Sequence, residues 1–244
     1  MRPILFRCGS LIVPSYTGML YLGVLIGVYA ELFAATMRGL HLGRVVAATL
    51  ILLVPAFTGA RLLFVATHWQ QFRNGRRIFR AADGGAAMLG GLLLALPVSI
   101  PLLSSLDIPF ASFWDVACVP ILIGMFFTRI GCFLNGCCAG RRSLSWFSMD
   151  LPDSRGVWER RIPTQLCECG LALLILAITI VVGDRDPLPG SLFLLAITVY
   201  GAARVLLEDM RQEQTSVRGV TVNRAISAGY VFSGAVSYAL VVLS

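Results

Sequence analysis

Arg129 sits at the end of an apolar run, Val119 to Phe127, where the chain turns into its longest polar segment. The stretch reads Arg129-Ile130-Gly131-Cys132-Phe133-Leu134-Asn135-Gly136-Cys137-Cys138-Ala139-Gly140-Arg141-Arg142. An arginine facing lipid costs about 2.5–3.5 kcal/mol on insertion scales, so this one should face a protein interior or a wet cavity. On a helix, Arg129, Cys132 and Gly136 fall at i, i+3 and i+7 and share one face. Glycines at 131, 136 and 140 let backbone approach a neighbouring helix or a ligand. Polar groups beside an arginine at a membrane boundary suit a phosphate-bearing lipid headgroup. The alternative is an arginine snorkelling from a helix end above a glycine packing seam.

A second constellation is Tyr200, Arg204, Glu208 and Arg211, which fall on one helical stripe at i, i+4, i+8 and i+11. An anion held between the arginines is one way to satisfy that stripe, and a self-neutralising ladder is the other. Arg204 lies too deep in its apolar run for a purely solvated face. Gly84-Gly85 and Gly90-Gly91 form two glycine pairs, with Asp83 just ahead, placed to cap a helix or to answer an arginine. Close helix packing would account for one of these pairs. Arg61, in Gly59-Ala60-Arg61-Leu62, is a third arginine in or near a span, and Glu31 is a possible partner.

Five of the seven cysteines (Cys132, Cys137, Cys138, Cys167 and Cys169) flank one polar loop. They could bind zinc as thiolates or form a disulfide. The spacing is not the common pair two residues apart, and the only histidines are His41 and His68. We therefore expect no metal and no cofactor. Cys8 and Cys118 read as small packing residues.

The elements that must position these groups follow from composition. With 57% hydrophobic and 14% charged residues and a mean hydropathy of +0.80, this is an all-α integral membrane protein. All 20 basic residues are arginine, so Schiff-base and P-loop lysine chemistry is excluded. The net charge of +7 points to anionic headgroups, and no nucleic-acid partner is expected. About seven spans are long enough to cross 30 Å of hydrocarbon: 16–37, 44–67, 85–103, 112–135, 164–183, 190–207 and 225–243. Pro97 and Pro101 should kink or end the third. Residues 1–14 read as the lead-in to a retained first span. The whole chain, 1–244, is a single polytopic domain, with polar loops at 68–84 and 136–163 on the same side as the N-terminus. That side carries 14 loop arginines against 3 on the other, which by the positive-inside rule makes it cytoplasmic.

Taken together, these residues resemble the prolipoprotein diacylglyceryl transferases. The family's arginine motif, approximately Arg-x-Gly-Asn-Phe-x-Asn-x-Glu-x-x-Gly, is similar to Arg129-Ile-Gly131-Cys132-Phe133-Leu-Asn135-Gly-Cys137-Cys-Ala-Gly140. Gly59-Ala60-Arg61-Leu62 resembles the end of its second span. Pro163-Thr164-Gln165-Leu166 with Glu168 resembles the start of its fifth. Tyr200-Gly201 through Arg204 and Glu208 to Arg211 looks like its Tyr-Gly-x-x-Arg segment.

The resemblance implies transfer of a diacylglyceryl group from phosphatidylglycerol to the lipobox cysteine of a prolipoprotein, with glycerol phosphate leaving. It implies catalytic roles for Arg129, Arg204 and Glu208, and substrate-binding roles for Arg61, Asp83, Gly90, Gly91, Asn135, Gly140, Gln165 and Tyr200. The expected partners are phosphatidylglycerol or another anionic phospholipid, the prolipoprotein signal peptide and the membrane. The expected place is the bacterial cytoplasmic (inner) membrane, multi-pass, with the arginine-rich side facing out, against the charge count. The chain departs from the family pattern at Leu89, Ile162, Cys132, Cys137 and Cys167, where the family has histidine, histidine, asparagine, glutamate and tyrosine. An inactive lipid- or lipoprotein-binding relative, or a cysteine-based redox or metal protein, is the alternative.

Overall fold

The computed structural model describes residues 1–8, 11–67, 88–152, 156–185, 188–211, 216–217 and 220–243. Among them are seven helices: α1 (Ser15–Met37), α2 (Leu42–Thr67), α3 (Met88–Ser105), α4 (Phe110–Asn135), α5 (Thr164–Gly183), α6 (Ser191–Glu208) and α7 (Val222–Leu243). Five of these, α1, α2, α4, α5 and α6, have the length and apolar composition to cross a membrane. The burial pattern is that of a lipid-facing bundle. Leu25, Tyr29, Val54, Leu206 and Phe232 are exposed, while Glu31, Asp115, Glu168, Arg204 and Glu208 are buried. Charged groups turn inward and large apolar ones outward, the arrangement that hydrocarbon imposes.

α1 lies along α4, α2 along α3, and α6 along α7, with α5 joining α4 to α6. Small residues set these distances. A Cβ at Gly27 would sit 3.2 Å from Pro120 Cα, and one at Gly131 would sit 3.1 Å from Tyr16 Cα, so the α1–α4 seam depends on both positions having no side chain. The Gly90–Gly91 pair does the same for α3. A Cβ at Gly90 would meet the Gly59 carbonyl oxygen at 2.5 Å, and one at Gly91 would meet that of Ala56 at 2.8 Å. These two glycines pack α3 onto α2.

α3 runs through both prolines, which were expected to kink or end it, and ends at neither. The reason is local. Pro101 removes the N–H that would have bonded to the Pro97 carbonyl, so one face of the helix carries both defects. The Ser99 hydroxyl also stays within the helix, donating to the Leu96 carbonyl at 2.6 Å.

The sequence reading did not foresee three short antiparallel hairpins: β1 (Ile4–Cys8) with β2 (Leu11–Pro14), β3 (Met149–Pro152) with β4 (Trp158–Arg161), and β5 (Ser216–Val217) with β6 (Val220–Thr221). All three belong to the long connections and the N-terminal segment. The described parts of the N-terminal segment and of 136–163, together with Arg211, meet at one end of the bundle. The opposite end is fastened by Asp115. Its carboxylate accepts the N–H groups of Gly190 at 2.8 Å and Phe193 at 3.0 Å, and pairs with Arg38 at 3.2 Å. A carboxylate at the start of α6 satisfies otherwise orphaned donors there and complements the helix dipole. Glu31 is likewise no partner of the site arginines: the Thr49 hydroxyl donates to it at 2.6 Å.

Candidate active site

The site is assembled where the C-terminal turn of α4, the N-terminal turn of α5 and the C-terminal half of α6 meet. α4 stops at Gly136, which takes a left-handed conformation (φ 75°), and the chain reverses. The Cys137 N–H returns to the Cys132 carbonyl at 3.1 Å, closing the last turn. α5 then holds the reversed strand from the other side. The Thr164 hydroxyl donates to the Cys138 carbonyl at 2.9 Å, and Gln165 Nε2 donates to that of Cys137 at 2.6 Å. Gly140 completes the docking. Its N–H donates to the Ile162 carbonyl at 2.9 Å, and the Arg141 N–H donates to that of Met210 at 2.8 Å. A Cβ at Gly140 would lie 2.6 Å from the Met210 oxygen and 2.8 Å from the Ile162 oxygen. No residue but glycine fits there, so the close backbone approach expected at Gly140 is to the segments carrying Met210 and Ile162.

Docking the two loops brings the charges together. Arg129 Nε lies 2.6 Å from Glu168, and Arg211 reaches the other Glu168 oxygen at 3.3 Å. Arg204 pairs with Glu208 at 2.6 Å along α6. Tyr200 is buried, and its hydroxyl lies in the field of Glu168, Arg129, Arg204 and Arg211. Three guanidinium groups and the Glu168 carboxylate thus act on one buried tyrosine at one end of the bundle. The glutamates hold the arginines in place without neutralising them all. An oxyanion arriving here would meet fixed, partly desolvated cations.

The stripe expected along α6 holds as far as Glu208. Arg211 lies beyond the helix end and pairs across the loop with Glu168 instead of continuing the ladder. Asn135 is exposed at the rim and hydrogen-bonds toward Cys137. Arg61 stands on α2, its guanidinium carbon 5.6 Å above the Phe64 ring. Its helix packs on α3. Asp83 lies outside the described residues, as does the Gly84–Gly85 pair. Leu89 is buried in an apolar cluster with Cys118, Leu122, Tyr200 and Tyr230, and the Tyr230 hydroxyl donates to the Leu89 carbonyl at 2.9 Å.

Glu168 is the residue that should have been singled out from the sequence. A carboxylate about one turn into an apolar helix carries the same signal as Arg129, and both need a partner. Thr164 and Tyr230 had no such signal, because a hydroxyl at a helix end or on an apolar face is common. The Cys138 thiol is another feature that only the fold shows. Hydrogen bonds with Cys132 and then Cys137, reinforced by Arg129 and Arg211, hold it well below its ordinary range.

The model of a family described as prolipoprotein diacylglyceryl transferase matches residues 3–240. Proteins named phosphatidylglycerol--prolipoprotein diacylglyceryl transferase from Streptococcus pyogenes serotype M5 (strain Manfredo), serotype M49 (strain NZ131) and serotype M18 (strain MGAS8232) are similar throughout. Each is 25% identical over 241 residues, covering 96% of this chain and 93% of the relative.

Proposed function

This chain belongs to the prolipoprotein diacylglyceryl transferase family, and we propose that it transfers a diacylglyceryl group from phosphatidylglycerol to the lipobox cysteine thiol of a prolipoprotein. The observation that carries this reading is the joint placement of Arg129, Arg204 and Arg211 around Tyr200, held by Glu168 and Glu208. In this reaction the carbon–oxygen bond to phosphate breaks, and the leaving glycerol phosphate gains negative charge. Fixed guanidinium donors aimed at that oxygen stabilise the transition state more than the ground state. Arg129 and Arg204 are assigned to the phosphate. Glu208 orients Arg204, and Thr164 and Gln165 fix the loop that carries Cys137 and Cys138. Asn135 stands at the rim, and buried Gly140 docks the loop against Met210 and Ile162. Arg61 and Asp83 are assigned to the approach of the lipid headgroup or signal peptide.

The enzyme is multi-pass in the bacterial inner membrane, with this end of the bundle outside, where a secreted preprotein presents its lipobox. The test is reconstitution in phosphatidylglycerol vesicles with a lipobox peptide. The peptide should gain the mass of one diacylglyceryl unit while glycerol phosphate is released. Arg129→Ala and Arg204→Ala should each weaken binding of the anionic lipid by about 1.5–3 kcal/mol, tenfold to over a hundredfold. A peptide of unchanged mass alongside unchanged lipid affinity in both variants would overturn the assignment.

A further inference from the structure

Cys132, Cys137 and Cys138 bring their three sulfur atoms within 4.8 Å of one another at the rim of the arginine site. All three are free thiols. Only the fold unites them, because Cys132 belongs to the last turn of α4 while the other two lie beyond the reversal at Gly136. Cys138 has a φ of 63°, a left-handed conformation that a residue with a Cβ rarely adopts. Such a conformation persists only where surrounding contacts over-determine it. Here Thr164 and Gln165 fix the carbonyls of Cys138 and Cys137 from α5.

A tetrahedral zinc with Zn–S bonds of about 2.3 Å needs sulfurs about 3.8 Å apart, well within the spacing already present. Cys132 is buried, Cys137 half-buried and Cys138 exposed, so the three donors form a cup open toward the rim. Arg129 and Arg211 act electrostatically on Cys138 and would offset the negative charge of a zinc trithiolate. Neither histidine of the chain offers a proton acceptor in the described site. His41 precedes α2 at the opposite end, and His68 lies outside the described residues.

We propose that Cys132, Cys137 and Cys138 ligate a zinc ion whose fourth position takes the acceptor thiol of the lipobox cysteine. This rests on the transferase reading, and it replaces the expectation that the cysteines bind no metal. Three protein ligands and one open position is the arrangement of a zinc site that works on a substrate. Zinc deprotonates a coordinating thiol outright. The acceptor's proton passes to water. Its sulfur then forms a bond to the glyceryl carbon as the carbon–oxygen bond breaks, and the electron pair stays on the phosphate oxygen beside Arg129. The products are a thioether and glycerol phosphate. The proton lost from the thiol balances the extra negative charge on the phosphate.

The detergent-purified full-length protein should contain about one zinc per chain by mass spectrometry. Cobalt in its place should give intense thiolate-to-metal absorption. The single changes Cys132→Ser, Cys137→Ser and Cys138→Ser should each weaken metal binding at least about tenfold, while Cys167→Ser should not. Because buried Cys132 could be needed for folding, exposed Cys138 is the deciding variant, with thermal stabilisation by phosphatidylglycerol reporting an intact fold. A lipobox-cysteine peptide should shift the cobalt bands, and its serine counterpart should not. Zinc-free protein, a disulfide among the three cysteines, a Cys138→Ser variant that keeps its metal, or bands blind to the thiol peptide would each overturn the proposal. Transfer by zinc-free protein would overturn it and leave the transferase reading standing. Zinc binding with thiol-sensitive bands but no transfer would uphold the site and sink the transferase reading.

Discussion

Glu168 is shared between Arg129 at 2.6 Å and Arg211 at 3.3 Å, one carboxylate answering two guanidinium groups from different segments. Its side chain is 2% exposed, against 16% for Arg129 and 20% for Arg211. The carboxylate therefore tolerates burial only because both partners are present, and each arginine is preset by the same anchor.

Glu168→Gln keeps the shape and removes the charge, leaving two partly buried cations facing one another. Breaking a buried pair from one side costs about 3–5 kcal/mol, so the melting temperature of the purified protein should fall. A lipid phosphate can take the missing negative charge. Phosphatidylglycerol should then raise the melting temperature of Glu168→Gln more than that of the natural protein, while phosphatidylcholine should not. Equal stabilisation of the two proteins by the anionic lipid would separate Glu168 from the phosphate site.

Gly140→Ala tests the docking of the two loops. Its Cβ would meet two backbone carbonyls below 3 Å, and backbone cannot give way as a flexible side chain can. The expected cost is about 1–3 kcal/mol, as for overpacked interiors. Anionic-lipid affinity should also drop, because Arg211 is carried by the segment displaced. Gly170→Ala is the matched control. It lies on exposed α5 with nothing within 4 Å of the added carbon, so it should be neutral or stabilising by up to about 1 kcal/mol. Equal behaviour of the two variants in thermal melts would contradict this account of Gly140.

The helices were legible in the sequence because hydrocarbon imposes a crude rule: apolar runs of about 20 residues separated by arginine-rich connections. Their bounds fell close to those observed, including α3, whose expected span 85–103 already ran through both prolines and is observed as Met88–Ser105. The hairpin β1–β2 was not legible. Its residues, Ile4–Cys8 and Leu11–Pro14, are apolar enough to read as the approach to the first span. Within the site, Arg129, Arg204 and Glu208 stood out because a charge in an apolar run demands a partner. The identity of each partner did not, since the Arg129–Glu168 pair spans two helices and the Arg211–Glu168 pair depends on a loop docking through Gly140. The cysteines were visible as a group flanking one loop, but the convergence of three of them was not, for the same reason. Their spacing matches no familiar metal pattern, and only the reversal at Gly136 brings Cys132 back to Cys137 and Cys138.

Leu89→His restores the residue the family pattern has at this position, and the structure indicates what it would meet. Leu89 is 4% exposed and packs among Cys118, Leu122, Tyr200 and Tyr230. An imidazole buried there without a partner costs about 1–3 kcal/mol, so the melting temperature should fall. Transfer to a lipobox peptide should not increase, because the surroundings have been rebuilt as an apolar core. A severalfold gain in transfer rate would instead assign proton handling to position 89 and remove the need for metal activation of the thiol.

The orientation of the bundle sets two physical arguments against each other. Loop arginines number 14 on the side of the site and 3 on the other, which by the positive-inside rule turns the site toward the cytoplasm. Several of those arginines are engaged in folded ion pairs, however. Arg161 is fully buried against Glu159, Arg142 shares that carboxylate, and Arg211 is held by Glu168. On the proposed function, the lipobox thiol of a secreted preprotein would reach the site from the outer leaflet, and seven spans would then place the C-terminus inside. A fluorescent reporter that matures only in the cytoplasm should therefore light up at the C-terminus, while a phosphatase that folds only outside should stay silent. The reverse pair of signals would turn the arginine site inward and leave the charge count the better guide.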